Sequence, residues 1–280
     1  MLSLSLEGPT VRLLESQGNR IVRWHSALFN PALVRRGSIT DPAAMAQVIT
    51  KAMETGKQKP GDVMAAMEGA GCLSRMITLP PNCKAAEFVP REARRLFSLD
   101  DKSSFFFWQQ LPGPGRRLFV LAVPRGPLMA FRETLSLAGL RLRILDVRPL
   151  ALARWSNESR AIVISAESNC IVVVVLVDSV PLVMQTHWLG DGSLAPSAAA
   201  SQVPGILSQT LSYYNDTHKE QPIGTDTPMF LVGAASDAAL EKTIKADFGY
   251  SIRQPGTLFK APEEFPVSQY CVNLGLLMKL

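Results

Sequence analysis

Two short polar turns hold the residues whose types and spacing point most directly to chemistry. Glu7-Gly8-Pro9-Thr10 joins the strand-like LSLSL (2–6) to VRLLES (11–16). Ala166-Glu167-Ser168-Asn169 joins AIVIS (161–165) to CIVVVVLV (170–177). A hairpin with small turn residues can present backbone N–H groups to a phosphate. Two such turns facing each other would clamp a nucleotide. Neither carries the full set of acid and glycines that a clamp needs. On residue chemistry alone, ordinary hairpins holding two sheets together are the alternative. Gly190-Asp191-Gly192 has the look of a metal or phosphate turn, and a plain turn is the simpler reading.

Catalytic material is scarce elsewhere. His25, His187 and His218 are isolated in sequence, and no Cys/His/Asp group has zinc spacing. His187, beside Trp188 at a strand end, reads as packed or half-exposed rather than as a base. Neither Gly-x-Ser-x-Gly nor Gly-x-x-x-x-Gly-Lys-Ser/Thr occurs. No catalytic residue and no metal site is expected. Phe105-Phe106-Phe107-Trp108 is the largest aromatic cluster. Strand alternation lets only two of the four face one core. The other pair must pack on a neighbouring lobe or on a partner. Arg141-Leu142-Arg143 is an alternating strand with one wet face.

The elements that would position these residues come in two similar sets. LSLSL, VRLLES and RIVRWHS form one hairpin triplet; AIVIS, CIVVVVLV and VPLVMQT form another. A triplet at the head of each half predicts a duplicated two-lobe fold. CIVVVVLV is β-branched almost throughout, as a strand covered on both faces would be. Asp41-Pro42 caps a helix whose apolar face is Met45, Val48, Ile49, Ala52 and Met53, closed by Gly56. Strands are expected over 62–68 and 72–80, and Pro80-Pro81 marks a boundary. Residues 82–145 read as an α-β-β-α-β unit: a helix over 84–99 interrupted at Pro90, strands at 105–110 and 118–123, a helix over 127–138 and a strand at 140–146. Further helices are expected over 149–155, 203–216, 237–248 and 267–278, and a strand over 229–232.

Composition sets outer limits. The chain has 280 residues, 47% of them hydrophobic and 19% charged, enough for two cores. A net charge of +5 with scattered arginines does not imply nucleic-acid binding. Cys72, Cys83, Cys170 and Cys271 are far apart and read as reduced thiols in or near the core. The N-terminus lacks a basic region and has an acid at Glu7, unlike a signal peptide. The longest apolar run breaks at Asp178-Ser179, too short to span a bilayer, so no direct membrane insertion is expected.

The order of these elements, with VRLLES (11–16), VRRGSITDPAAMAQVI (34–49), SRMITLP (74–80), LAGLRLRILDVRPLALARW (137–155), ILSQTLSYYND (206–216), LVGAAS (231–236) and YCVNLGLLMK (270–279), resembles the PilM family. PilM proteins are actin-like cytoplasmic components of type IV pilus assembly, related in fold to FtsA. The resemblance spans nearly the whole chain. It implies an α/β fold of the actin-like (RNase H-like) kind: a first lobe of 1–80 with 146–160, an inserted α+β subdomain at 81–145 and a second lobe of 161–280. It places the nucleotide loops on Ser5, Gly8 and Thr10, on Ser165, Ser168 and Asn169, on Gly192, and on Gly233 and Ala234.

The departures bear on function. The first Asp-x-Gly of the family falls on Ser5-Leu6-Glu7 and the second on Val163-Ile164-Ser165. Valine cannot ligate Mg²⁺, and Glu7 would repel a triphosphate. The family's Gly-Gly is Gly233-Ala234, and an expected arginine is Gln185. The expectation is a non-catalytic scaffold with no cofactor; an ATP/Mg²⁺-driven switch is the alternative, and an FtsA-like or type II secretion adaptor a third reading. The implied partner is the cytoplasmic tail of a PilN-like bitopic membrane protein, alongside other pilus platform proteins, with self-association left open. The implied location is the cytoplasm, held at the inner membrane through partners. The implied groove is framed by the Phe105–Gln110 strand and the helix from Asp41 to Thr55, with Phe105, Phe106, Phe107, Trp108 and Met45 as partner contacts.

Overall fold

The protein is described here by a computed structural model that covers residues 1–279 apart from Asp101, Pro114 and residues 191–193. The first hairpin triplet is β1 (Leu2–Glu7), β2 (Thr10–Gln17) and β3 (Arg20–Leu28). A 3₁₀ turn at Pro31–Leu33 and the short strands β4 (Val34–Arg35) and β5 (Ser38–Ile39) lead to α1 (Pro42–Thr55). Then come β6 (Asp62–Met67), β7 (Leu73–Thr78), α2 (Ala85–Phe97), β8 (Ser104–Gln110), β9 (Arg117–Pro124), α3 (Arg125–Leu137), β10 (Arg141–Val147) and α4 (Arg148–Ser156). The second half holds β11 (Ala161–Ala166), β12 (Cys170–Val177), β13 (Val180–Trp188), α5 (Pro196–Ala200), α6 (Val203–Thr217), β14 (Met229–Val232), α7 (Ala238–Phe248) and β15 (Ile252–Arg253). A second 3₁₀ turn at Val267–Gln269 precedes α8 (Cys271–Leu277).

The duplication is visible in strand order. One sheet runs β10-β6-β1-β2-β3, the other β15-β14-β11-β12-β13. In each, an antiparallel triplet is extended by a parallel strand beside its first member. The matching turns are tight: Glu7 pairs with Thr10, and Ala166 pairs with Ile171.

Side-chain alternation then builds the layers. The leucines of LSLSL and Val11 and Leu13 of β2 face α1 and α3. Ile162, Ile164, Val173 and Val175 face α6 and α7. The opposite faces, including Leu14, Met64, Val163, Val172 and Val174, meet α4 and α8 in a shared middle layer. Both faces of β11 and β12 are therefore covered, and every residue of the two strands is buried. That is why their sequences are so apolar.

α4 and α8 cross within this middle layer. At the crossing, a Cβ on Gly275 would lie 1.9 Å from the carbonyl oxygen of Ala151, so only glycine fits there. The Arg154 guanidinium donates to the Gly275 carbonyl at 2.8 Å. Fully buried Asn273 donates from Nδ2 to the carbonyls of Ser3 and Arg12 and accepts from Ser5 Oγ. The C-terminal helix is thus stitched to the N-terminal sheet.

Sheet membership corrects the expected limits of the insert. β7 pairs with β9, so the insert's three-stranded sheet, β7-β9-β8, begins before Pro80-Pro81. β10 pairs in parallel with β6 and belongs to the first-lobe sheet. α3 packs into the first-lobe core through Leu128, Phe131 and Leu135. The insert's own core is Leu79, Val89, Ala93, Phe97, Leu118, Val120 and Ala122, under α2. The strand periodicity of 72–80 and 140–146 was local information; which sheet each strand joins depends on distant partners.

Candidate functional site

The expected nucleotide cleft lies at the ends of β1, β6 and β11, the carboxyl edge where α/β sheets commonly hold ligands. The same alternation that makes the middle layer aims a set of side chains into it. Ser3, Ser5 and Glu7 share a face of β1; Arg12 lies opposite Ser5; Ser165 and Glu167 continue the Val163 face. Glu68 follows β6 and Arg148 starts α4.

These residues close on each other. Arg12 Nη1 lies 3.1 Å from Glu7 Oε2, and Arg12 Nη2 donates to Glu167 Oε1 at 3.0 Å. Arg148 Nη1 donates to Glu68 Oε2 at 2.8 Å, and Arg148 Nη2 to Ser165 Oγ at 2.7 Å. Ser5 Oγ lies 2.6 Å from Glu7 Oε1, which shares the hydroxyl's one proton with Asn273 Oδ1. None of the five charged side chains is more than 4% exposed.

Burial alone pulls the Arg12 guanidinium down, but Glu167 and Glu7 more than reverse this and hold it charged. Arg148 behaves likewise beside Glu68. Burial pushes the carboxyls of Glu68 and Glu167 upward, and the arginines offset only some of this. Cys170 accepts from Arg148 Nη1 at 3.3 Å, and burial pushes its thiol up, so it stays protonated and is no nucleophile.

The expected nucleotide contacts are used internally. The N–H of Gly8 donates to Glu68 Oε1 at 3.3 Å, and the N–H of Ala234 to Glu167 Oε1 at 3.4 Å. The two turns touch: a Cβ on Gly8 would sit 3.2 Å from Glu167 Cβ and 3.4 Å from Asn169 Oδ1. A Cβ on Gly233 would sit 2.3 Å from the carbonyl oxygen of Ala166, so this glycine serves a backbone approach. Val163 is packed in the middle-layer core. At the mouth, Pro31, Val34, Asn169, Trp188 and Gly190 enclose only about 10 Å³. Ser168 and Thr10 lie in or beside the touching turns; Gly192 is outside the described residues. Among the described residues no group of His, Cys, Asp and Glu has the geometry of a metal site. The residues present do not fit Mg²⁺ and a triphosphate.

Open apolar surface lies elsewhere. A groove of about 290 Å³ separates the insert from the first lobe. Its walls include Phe107, Trp108, Phe119 and Leu121 from the insert, and Leu145 and Leu150 from β10 and α4. Three consecutive residues, Phe107, Trp108 and Gln109, line it. Since neighbours on a strand alternate faces, the groove reaches the edge of β8, which is an edge strand of its sheet. A second groove of about 440 Å³ shares Gln109, Phe119, Leu150 and Lys279 and runs on to Leu176 and Val180.

The aromatic run does not divide by alternation as expected. Phe105 packs toward the first-lobe core under the Arg125 guanidinium, 3.8 Å from its ring centre. Phe106 packs on the insert core. Phe107 and Trp108 are 50% and 39% exposed. The division runs along the strand because β8 extends beyond what α2 and the first lobe cover. Met45 is fully buried in the first-lobe core and offers nothing to a partner, and α1 does not frame the groove. Glu7 and Glu167 stand in the two turns singled out from the sequence, whereas Arg12, Glu68 and Arg148 carry no local signal of a shared site. The available signal was a charge ending each apolar strand at matching positions in the two halves, Glu7 and Glu167.

Layer order and strand order give a fold of the actin-like kind, similar to that of PilM. No protein-family profile matches the sequence, and no curated protein matches it. Among solved structures it is similar to that of a PilM-PilN type IV pilus biogenesis complex, with 19% identity, a TM-score of 0.78, and 99% of this chain and 97% of that chain covered. It is also similar to the cytoplasmic domain of EpsL, an inner-membrane component of the type II secretion system of Vibrio cholerae, with 12% identity, a TM-score of 0.57, and 99% and 94% covered. A Bacteroides thetaiotaomicron protein with an actin-like ATPase fold and unknown function matches with 11% identity, a TM-score of 0.52, and 100% and 95% covered. No helix among the described residues is long and apolar enough to cross a membrane.

Proposed function

We propose that this chain is a non-catalytic adaptor of a type IV pilus inner-membrane platform, and that it holds the cytoplasmic tail of a PilN-like bitopic membrane protein. The observation that carries the reading is the apolar groove beside the edge strand β8, with Phe107 and Trp108 exposed at its rim. An extended tail can add main-chain hydrogen bonds along such an edge and set alternate side chains into apolar pockets. The solved relative with the higher TM-score is a complex with PilN, and its fold covers the whole chain. A type II secretion adaptor is the second reading, supported by the likeness to the EpsL cytoplasmic domain. On either reading the protein sits in the cytoplasm and reaches the inner membrane through its partner. The test is co-purification with detergent-solubilised bitopic membrane proteins, comparing wild type with Phe107→Ala and Trp108→Ala. Capture of a short-tailed membrane protein by wild type, reduced in both variants, supports the reading. Capture that neither variant weakens places the tail elsewhere.

A further inference from the structure

We propose that Glu7, Arg12, Glu68, Arg148 and Glu167 do in this chain what a nucleotide does in a two-lobed clamp: they fill the cleft and hold the lobes together without a ligand. The inference stands apart from tail binding and does not rest on it.

The cluster takes over each element of the nucleotide contact. The backbone donors of the first turn and of the Gly233-Ala234 turn point at carboxylates of Glu68 and Glu167, where a clamp would aim them at phosphate oxygens. Two guanidiniums supply the positive charge that a bound metal would bring. Ser5 is committed to Glu7 and Asn273, and Val163 is packed in the middle-layer core. A triphosphate would meet three carboxylates in a buried, weakly screened site. It would also have to push the two touching turns away from each other.

The members come from both sides of the cleft. Glu7 and Arg12 belong to the first-lobe sheet and Glu68 directly follows its strand β6; Glu167 directly follows β11 of the second sheet, and Arg148 heads α4 between them. Arg12 bridges the lobes directly, joining Glu7 to Glu167. Arg148 does so through Glu68 on one side and Ser165 on the other. The angle between the lobes is then a fixed property of the sequence, independent of any nucleotide cycle.

Hydrogen exchange on the full chain tests this, with and without millimolar Mg·ATP. Wild type is expected to protect the amides of Gly8 and Ala234 with no nucleotide present, and Mg·ATP is expected to leave that protection unchanged. Glu167→Ala is expected to speed exchange at both amides about tenfold or more while the centre of β12 stays protected. If that variant does not fold, Glu167→Gln keeps the side-chain shape and gives the same readout with a smaller acceleration. Two results would overturn the proposal. One is Mg·ATP slowing exchange at Gly8 and Ala234 in wild type, reversed by EDTA. The other is both amides remaining as protected in the folded variant as in wild type.

Discussion

The interlobe cleft and the insert groove are both concave places where two regions of the chain meet, and they are built in opposite ways. The cleft is polar: Arg12 reaches Glu167 and Arg148 reaches Ser165 across it, while the turn amides of Gly8 and Ala234 donate to Glu68 and Glu167 within their own lobes. The groove is apolar and open, and it leaves Phe107 and Trp108 exposed beside the edge strand β8. The cleft's polar groups are mostly spent on one another, with Arg12 Nε and Nη1, Arg148 Nε and Asn169 Oδ1 buried without hydrogen-bond partners, and the touching turns leave a ligand little to reach. Exposed aromatic surface beside an edge strand does have something to offer. Under the proposed function, recognition lies at the side of the first lobe and not between the lobes.

The largest effect should come from breaking the cleft. Arg148→Met removes the partner of Glu68 and leaves that carboxyl buried, and should cost about 3–5 kcal/mol in chemical unfolding. A loss below about 1 kcal/mol would mean the cluster holds little together. Next is the helix crossing under it. Gly275→Ala drives a methyl into the Ala151 carbonyl and should cost about 1–3 kcal/mol, seen as a lowered Tm.

Breaking the groove should show in binding and barely in stability. Phe107→Ala should weaken tail binding by about 2 kcal/mol, as for an aromatic anchor at an interface. Phe106→Ala, on the insert core, should instead lower the unfolding free energy with little change in affinity at matched folded fraction. Measuring both quantities on both variants sharpens the contrast between a packed and a presented aromatic.

The smallest effect is a pH trend from the cleft. Three carboxyls face two guanidiniums, an excess of one negative charge when all are ionised. Glu68 and Glu167 have carboxyls raised above the ordinary 4.5 by burial. A raised folded value means the folded protein keeps a proton the unfolded chain has released. That contribution to stability is full below about 4.5 and is lost as pH rises through the raised values. Glu167→Gln should flatten this fall in unfolding free energy with rising pH. An unchanged slope would assign the trend to other groups.

The fold was largely legible in the sequence and the cleft was not. Hairpin triplets, the Asp41-capped helix and the β-branched strand at 170–177 are local patterns, and each formed where its pattern lies. Sheet assignment was not local: β10 reads as a strand in either setting, and only its pairing with β6 places it in the first lobe. The charge cluster is the extreme case. Arg12 and Glu167 stand 155 positions apart, and Glu68 and Arg148 stand 80 apart. That Ser5 and Val163 stand where the PilM resemblance implies acids was visible. The charges that gather around them became visible only once two distant turns were brought together.

The division between a closed cleft and an open groove is tested most directly by the affinity of a PilN-like tail peptide for the purified chain, titrated with and without millimolar Mg·ATP. The same Kd is expected in both, with Phe107→Ala weakening it roughly thirtyfold, which corresponds to about 2 kcal/mol. Binding that appears only with Mg·ATP, or that Phe107→Ala leaves unchanged, would contradict that division.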